Sequence, residues 1–348
     1  MGSTLIAISF QTGERYMSYD VYGIGNALVD SEYLVTEDIL AKSGFTKGTM
    51  TLVDQSERAQ LVTLLEDTEK LSMSKLAGGG SAANTVVTVA LLGASSYYSC
   101  KVSDDKTGDF FVADLAAVNV DTNLGDQRPT GVTGECISMI TPDGERTLVT
   151  HLGITQTFSP DELDHQALSS ASYLYIEGYL ISSPTALEAV QKAHAEAKTA
   201  GVKVALTLSD VGMVENFRPA FEQVFSTGVD ILFCNEDEAK LWTGEAEREA
   251  AASALQKLCP QIAMTLSGDG ALVTGGDGQP QWIQSEAVKP VDTTGAGDTF
   301  AGGVLYGLSQ NLDLTDATAL AHSLARQVVS RFGARLSPQE IAAILKAF

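Results

Sequence analysis

The sequence predicts an α/β domain in which a mostly parallel sheet is covered by helices on both faces, with a smaller β-structure set beside it. From Tyr173 onward, short β-branched and aromatic runs alternate with longer amphipathic ones, the rhythm of repeated strand–helix units. The run Asp20-Val21-Tyr22-Gly23-Ile24-Gly25 is apolar and stops at glycine, as a buried parallel strand does. Two stretches, roughly Val29–Leu52 and Glu135–His151, break the rhythm and read as hairpin material outside the main sheet.

The first strand delivers Asn26 and Asp30 to its carboxyl end, where α/β sheets bind ligands. Next, Gly78-Gly79-Gly80-Ser81 precedes the small-residue run Ala82–Leu92, which reads as a buried helix with Ser81 as N-cap and Gly93 as terminator. In the second irregular stretch, Ile137–Ile140 and Thr147–Thr150 flank Thr141-Pro142-Asp143-Gly144-Glu145, a strong turn signal. The regular half then predicts a strand near Tyr173–Ile176, helix Pro184–Thr199, strand Val202–Leu206, a helix near Val214–Phe225, strand Asp230–Phe233, helix Asp237–Trp242 and strand Ile262–Leu266.

With 348 residues, 44% hydrophobic and 19% charged, the chain is long enough for one large domain or a domain with a small appendage. Lys plus Arg number 22 against 44 Asp plus Glu, and a net charge of −22 repels nucleic acid and anionic membrane surfaces, so neither is an expected partner. A small anionic substrate stays compatible, because Mg²⁺ and local amides neutralise phosphates whatever the global charge. Cys100, Cys136, Cys234 and Cys259 show no metal-ligand or disulfide spacing, and no apolar run approaches a membrane span, which makes a reducing cytoplasm the default. Residues 1–18 are expected to be a poorly ordered leader.

The most informative run is Asp292-Thr293-Thr294-Gly295-Ala296-Gly297-Asp298. Gly295 and Gly297 let backbone N–H groups close around an anion, and Thr299–Leu308 continues as an apolar helix whose positive dipole end points there. Asp298, in the first turn, is placed to take a proton from an alcohol attacking a phosphoryl group; a plain capping role is the alternative for an isolated Gly-Asp pair. No G-x-x-x-x-G-K-[ST] loop occurs, and Gly23-x-Gly25 lacks the third glycine of a dinucleotide fingerprint, so a nucleotide would have to be cradled by another loop.

Gly78–Asn84 and Asp292–Phe300 together resemble the two signature regions of the ribokinase-like, or PfkB, family of sugar and nucleoside kinases, and the likeness runs from about Asp20 to near the end. The resemblance implies a three-layer α/β/α core over 19–348 with a mostly parallel sheet and a small β-lid, its lid segments at about 29–54 and 127–153. It implies Mg-ATP as donor and a primary hydroxyl as acceptor. By motif, the catalytic set is Asp298 as base, the Gly295, Ala296 and Gly297 loop as anion hole, and Arg146 on the return strand of the hairpin reaching the transferring phosphate. Asn26, Asp30, Gly79, Gly80 and Asn84 match the acceptor site. Asn235, Thr265, Ser267, Gly268, Gly270, Ala325 and Gly333 match the ATP site. Asn235 and Glu238 would organise Mg²⁺ through water, and Asp292, Thr294, Val328, Gly333 and Ser337 match a K⁺ site of several members. Without the resemblance, Asn26 and Asp30 read as turn residues, Asn235–Glu238 as an acidic helix cap, and Arg146 as a solvated arginine.

Gly25–Asp30 and Ile176–Leu180 further resemble bacterial sequences grouped with adenosine kinases, which makes the 5′-hydroxyl of adenosine the expected acceptor. A sugar kinase acting on ribose, fructose or a related sugar is the alternative, and a catalytically silent nucleotide-binding protein is a third reading. Tyr33, Phe45, Tyr173, Tyr175 and Tyr179 are candidates for an aromatic shelf under a nucleobase. Monomer and homodimer are both open.

Overall fold

In the computed structural model, residues 18–275, 279–286 and 288–348 are described. The expected leader over 1–18 lies outside them except for Ser18. Numbered in chain order, the described strands are β1 Val21–Ile24, β2 Leu28–Leu34, β3 Met50–Leu52, β4 Lys75–Gly79, β5 Ser96–Ser99, β6 Val120–Thr122, β7 Gly134–Ile140, β8 Arg146–His151, β9 Tyr173–Ile176, β10 Lys203–Thr207, β11 Ile231–Asn235, β12 Gln261–Thr265, β13 Gly270–Thr274 and β14 Gln281–Gln284. Nine of them form one sheet in the order β14-β13-β12-β11-β10-β9-β1-β5-β6, and five form a second in the order β3-β8-β7-β2-β4.

In the nine-stranded sheet, pairing from β6 across to β12 is parallel, and the β12–β13 and β13–β14 pairs are antiparallel. The strands alternate strictly between two cores. Leu174 and Ile176 of β9, Leu232 and Cys234 of β11, and Ile262 and Met264 of β12 enter one cluster. Tyr173, Tyr175, Ile231, Phe233 and Ala263, the intervening residues, enter the other. Helices Pro184–Ala200, Val211–Thr227, Glu236–Thr243 and Arg248–Leu255 bury their apolar stripes in the first cluster, and helices Ser81–Leu91, Lys106–Ala117, Ala296–Ser309 and Leu314–Val329 in the second. Burial on both faces explains why these strands read as continuous apolar runs. The three-layer, ribokinase-like core with a second small sheet is the architecture expected.

Most expected elements of the regular half are found within one or two residues of their expected ends. The helix expected near Val214–Phe225 runs Val211–Thr227, capped by Asp210 and bent at Phe217, two residues before Pro219. Gly80, at φ +94°, takes the N-cap position expected of Ser81, which becomes the first helical residue and turns its hydroxyl elsewhere.

The small sheet differs from the expectation in one respect. Glu135–His151 is a hairpin, with β7 and β8 antiparallel, but Val29–Leu52 is not: β2 pairs in parallel with β7 and antiparallel with β4, while β3 lies at the far edge against β8. Helix Glu37–Ser43 separates β2 from β3, so the two cannot close a tight turn. One face of this sheet buries Tyr33, Ile137, Met139 and Val149 with Leu40, Leu61 and Leu65 from its own helices. The chain passes from large to small sheet through Gly25–Ala27 and returns through Gly80, which brings the alternate β2 residues Asp30 and Glu32 toward the carboxyl ends of the parallel strands.

Candidate active site

Helices Ser81–Leu91 and Ala296–Ser309 run side by side in the same direction. Gly302 makes this possible, since a Cβ there would lie 2.7 Å from the Thr85 carbonyl oxygen and from Thr88. Four residues earlier on each helix, the same register places Asp298 against Ser81 and Asn84: Ser81 Oγ donates to Oδ1 at 2.6 Å and Asn84 Nδ2 to Oδ2 at 2.9 Å. Two helix N-termini thus converge on one carboxylate, and both dipoles favour negative charge there. Burial pushes the Asp298 carboxyl up to about 6, against the pull of the Ser81 and Asn84 hydrogen bonds and the Arg335 charge. A carboxylate with that balance can hold or release a proton near neutral pH.

Gly295 caps the second helix in the left-handed conformation at φ +75°, packed against Ala334. Thr299 N–H closes the first helical turn on the Gly295 carbonyl at 2.8 Å, leaving the N–H groups of Gly297 and Asp298 without helical partners. Gly295, Ala296, Gly297 and Asp298 line a cavity of about 500 Å³, as do Asn235, Thr265, Ser267, Gly268, Gly270 and Ala325. Gly333 does not line it. His322, missed in the sequence, does; its ring packs on Phe300 at 5.2 Å, and burial pushes it down to about 4, so it is neutral.

Asn235 and Glu238 form the acidic cap the residues alone suggest. The Asn235 N–H and Nδ2 donate to the Glu238 carboxylate at 3.0 and 2.6 Å, and Glu238 N–H returns a bond to Asn235 Oδ1 at 2.8 Å. Burial pushes Glu238 up to about 7. Among the described residues no cluster of three or more His, Cys, Asp or Glu side chains could hold a metal ion. Asn235 and Glu238 spend their polar atoms on each other, a donor set that would meet Mg²⁺ through water while phosphate and water oxygens held the ion.

Among the residues expected to face the acceptor, a Cβ on Gly79 would lie 2.5 Å from the Asp30 carboxylate oxygens, and one on Gly80 would strike the Asn26 carbonyl oxygen. Asn26, Asp30, Gly79 and Gly80 are therefore together, and Asn84 joins them by donating its backbone N–H to the Gly80 carbonyl at 3.0 Å. Burial lifts Asp30 to about 7, opposed first by the Arg335 charge. The Asn26 amide is engaged at both ends, donating to Glu177 at 2.9 Å and accepting from Thr155 Oγ1 at 3.3 Å. Glu177, also missed in the sequence, accepts from the Asn26 N–H at 3.2 Å and from Ala82 N–H at 2.8 Å, and burial pushes it up to about 7. It pins both passages between the sheets. Its signal was a lone carboxylate directly after the all-apolar strand β9.

Arg146 is seated between Glu32 and Asp292, each at 3.2 Å, with its guanidinium 5.5 Å from the Phe332 ring. The guanidinium acting on Asp298 is instead Arg335, which sequence reasoning passed over although it stands two residues after Gly333. Asp292 accepts from Thr294 N–H at 3.0 Å and Gly333 N–H at 2.9 Å. Burial raises its carboxyl, and these donors with Arg146 more than offset that, holding it below the usual range. Asp292, Thr294 and Gly333 thus meet, while Val328 is buried in an apolar cluster and Ser337 spends its hydroxyl on Glu340 in a capping box. Of the candidate aromatic residues, Tyr175 is a core residue that also lines the cavity, Tyr33 and Tyr173 are core residues, Phe45 packs on the core of the small sheet, and Tyr179 is half-buried against the large one.

The chain matches the pfkB family carbohydrate kinase profile over residues 49–341. It is 28% identical to an adenosine kinase of Saccharomyces cerevisiae, covering 91% of this chain and 97% of that one, and 29% identical to a ribokinase of Mus musculus, covering 74% and 80%. The crystal structure of adenosine kinase from Sinorhizobium meliloti superimposes with a TM-score of 0.84 at 32% identity, covering 95% of this chain and all of that one. No helix among the described residues is long and apolar enough to cross a membrane. The profile match, the converging helices and the glycine loop lead to one conclusion: the chain belongs to the pfkB family of carbohydrate kinases and is a phosphotransferase with an alcohol group as acceptor.

Proposed function

We propose that the protein transfers the γ-phosphoryl group of ATP to the 5′-hydroxyl of adenosine, giving AMP and ADP, with Asp298 as general base. The observation that carries this reading is the buried Asp298 carboxylate at the junction of two helix N-termini, beside a cavity large enough for a nucleotide. Adenosine is favoured by the likeness to the yeast and Sinorhizobium adenosine kinases over more than nine-tenths of this chain.

In this mechanism Asp30 and the Gly79–Gly80 backbone hold the acceptor, while Asn26 and Asn84 fix the walls around it. Closure of the small sheet over the cleft excludes water that would otherwise compete as acceptor. Asp298 takes the hydroxyl proton as the oxygen attacks the γ-phosphorus and ADP departs. The free N–H groups of Gly297 and Asp298 stabilise charge on the transferring group, and Arg146 adds a cation when it leaves Asp292. Mg²⁺, positioned through water by Asn235 and Glu238, would supply neutralisation of the ATP phosphates. Asp292, Thr294 and Gly333 are the proposed K⁺ side; equal turnover in sodium, potassium and cation-free buffer removes that assignment.

A free sugar as acceptor is the second reading, favoured by the burial of Tyr33 and Tyr173 in the cores and by the likeness to a ribokinase over 74% of this chain. ADP release measured with Mg-ATP and adenosine, inosine, ribose or fructose decides between them. Turnover with adenosine alone supports the nucleoside reading, turnover with ribose or fructose alone replaces the acceptor, and binding without turnover in any arm overturns the kinase reading.

A further inference from the structure

We propose that Arg335 is a positioning residue for the transfer: braced on Asp114, its guanidinium fixes the Asn84 amide so that the N–H end faces the Asp298 carboxylate. The inference rests on Asp298 being the base. Arg335 Nε donates to Asn84 Oδ1 at 2.8 Å, and Nη1 pairs with Asp114 on helix Lys106–Ala117.

An asparagine amide has a donor end and an acceptor end of nearly the same shape, and Asn84 alone does not decide between them. Asp298, when ionised, only accepts; Arg335 only donates and does not lose its proton. With those two on opposite sides of the amide, one orientation is satisfied and the flipped one sets oxygen against oxygen and donor against donor. Arg335 keeps its side of that constraint at every working pH, whereas Asp298 imposes its side while it is ionised. Gly78 leaves room for the bracing pair, since a Cβ there would clash with the Asp114 carboxylate and lie 3.0 Å from Arg335 Nη1. Nη2 is buried and has no hydrogen-bond partner among the described residues. The same guanidinium is also the leading charge that opposes protonation of Asp30, so one cation serves both the base and the acceptor carboxylate.

The test compares Arg335→Met, Arg335→Lys, Asn84→Ala and the Arg335→Met/Asn84→Ala double variant in the full-length protein. Arg335→Met should lower kcat on the order of 10- to 100-fold through misplacement of the base, without raising the KM for Mg-ATP. In the Asn84→Ala background the same change should cost little more, because both act through one hydrogen-bonded chain. Arg335→Lys, which keeps the charge, should recover part of kcat. Full kcat in Arg335→Met, or effects that add in the double variant, overturns the proposal. So does lower thermal stability with unchanged kcat per folded molecule, the mark of a purely structural arginine.

A readout free of turnover is the carboxyl titration of Asp298, followed by ¹³C NMR of labelled aspartate and assigned with Asp298→Asn. The charged and titratable groups around it are Arg335, Asp30, Glu177, Tyr98, Tyr175 and Tyr179. Losing Arg335 removes the cation among them, so the titration should move to higher pH in Arg335→Met and stay in Arg335→Lys. An unmoved titration overturns the assignment even in an active enzyme. A moved titration in a protein without kinase activity supports the placement of Arg335 and sinks the base role of Asp298 instead.

Discussion

The proposed phosphate loop comes from consecutive residues, Asp292–Asp298, whereas the proposed acceptor side draws on Asn26 and Asp30, Gly79–Asn84, Glu177 and Arg335, spread along the whole chain. In the first, backbone conformation creates the site: a left-handed Gly295, a helix start and free N–H groups. In the second, side chains hold one another, Glu177 bonding Asn26 and Ala82, and Arg335 bonding Asn84. A site made of backbone leaves a contiguous trace in the sequence. Cross-bonded side chains such as Glu177 and Arg335 stand alone in the sequence, with no spacing that ties them to the residues they hold.

Asp298 belongs to both halves, so its loss should break the comparison most. Asp298→Asn is expected to reduce kcat by about 10²–10⁴-fold with substrate KM values largely kept, measured by ADP release; retention of full kcat refutes the base assignment. Next in size is pH. Asp298 acts as base only when ionised, so kcat/KM should fall as pH drops through about 6, where its carboxyl becomes protonated. A profile flat from pH 8 to 5 contradicts the base role.

The smaller effects separate the halves. Glu177→Gln removes one of the acceptors facing three N–H donors, which should cost about 1–3 kcal/mol of stability in urea or thermal unfolding. It should raise the acceptor KM and leave the Mg-ATP KM unchanged. Asn235→Ala should do the reverse, losing about 1 kcal/mol with its helix cap and weakening Mg-ATP alone. If either variant moved both KM values together, the two sides would not be independent.

Much of the fold was legible because strands buried on both faces are apolar throughout and their helices carry a regular stripe, as Tyr173–Ile176 and Pro184–Ala200 do. Register was not: the parallel pairing of β2 with β7 joins residues more than 100 positions apart, and nothing local distinguishes it from a hairpin. Likewise Ser81 has the chemistry of an N-cap, but Gly80 can adopt the positive φ of the crossing and Asp298 offers the hydroxyl a buried acceptor.

The sequence by itself determined the α/β class, the glycine loop that opens a helix and the carboxylate in its first turn, because each follows from local backbone preference and periodicity. Only the tertiary structure decided that Asp298 meets Ser81 and Asn84, that Glu177 pins the passages to the small sheet, and that Arg146 rests on Asp292 while Arg335 bonds Asn84. The physical reason is range: hydrogen bonds and ion pairs act over about 3 Å in space, and which residues come that close depends on how helices and sheets pack.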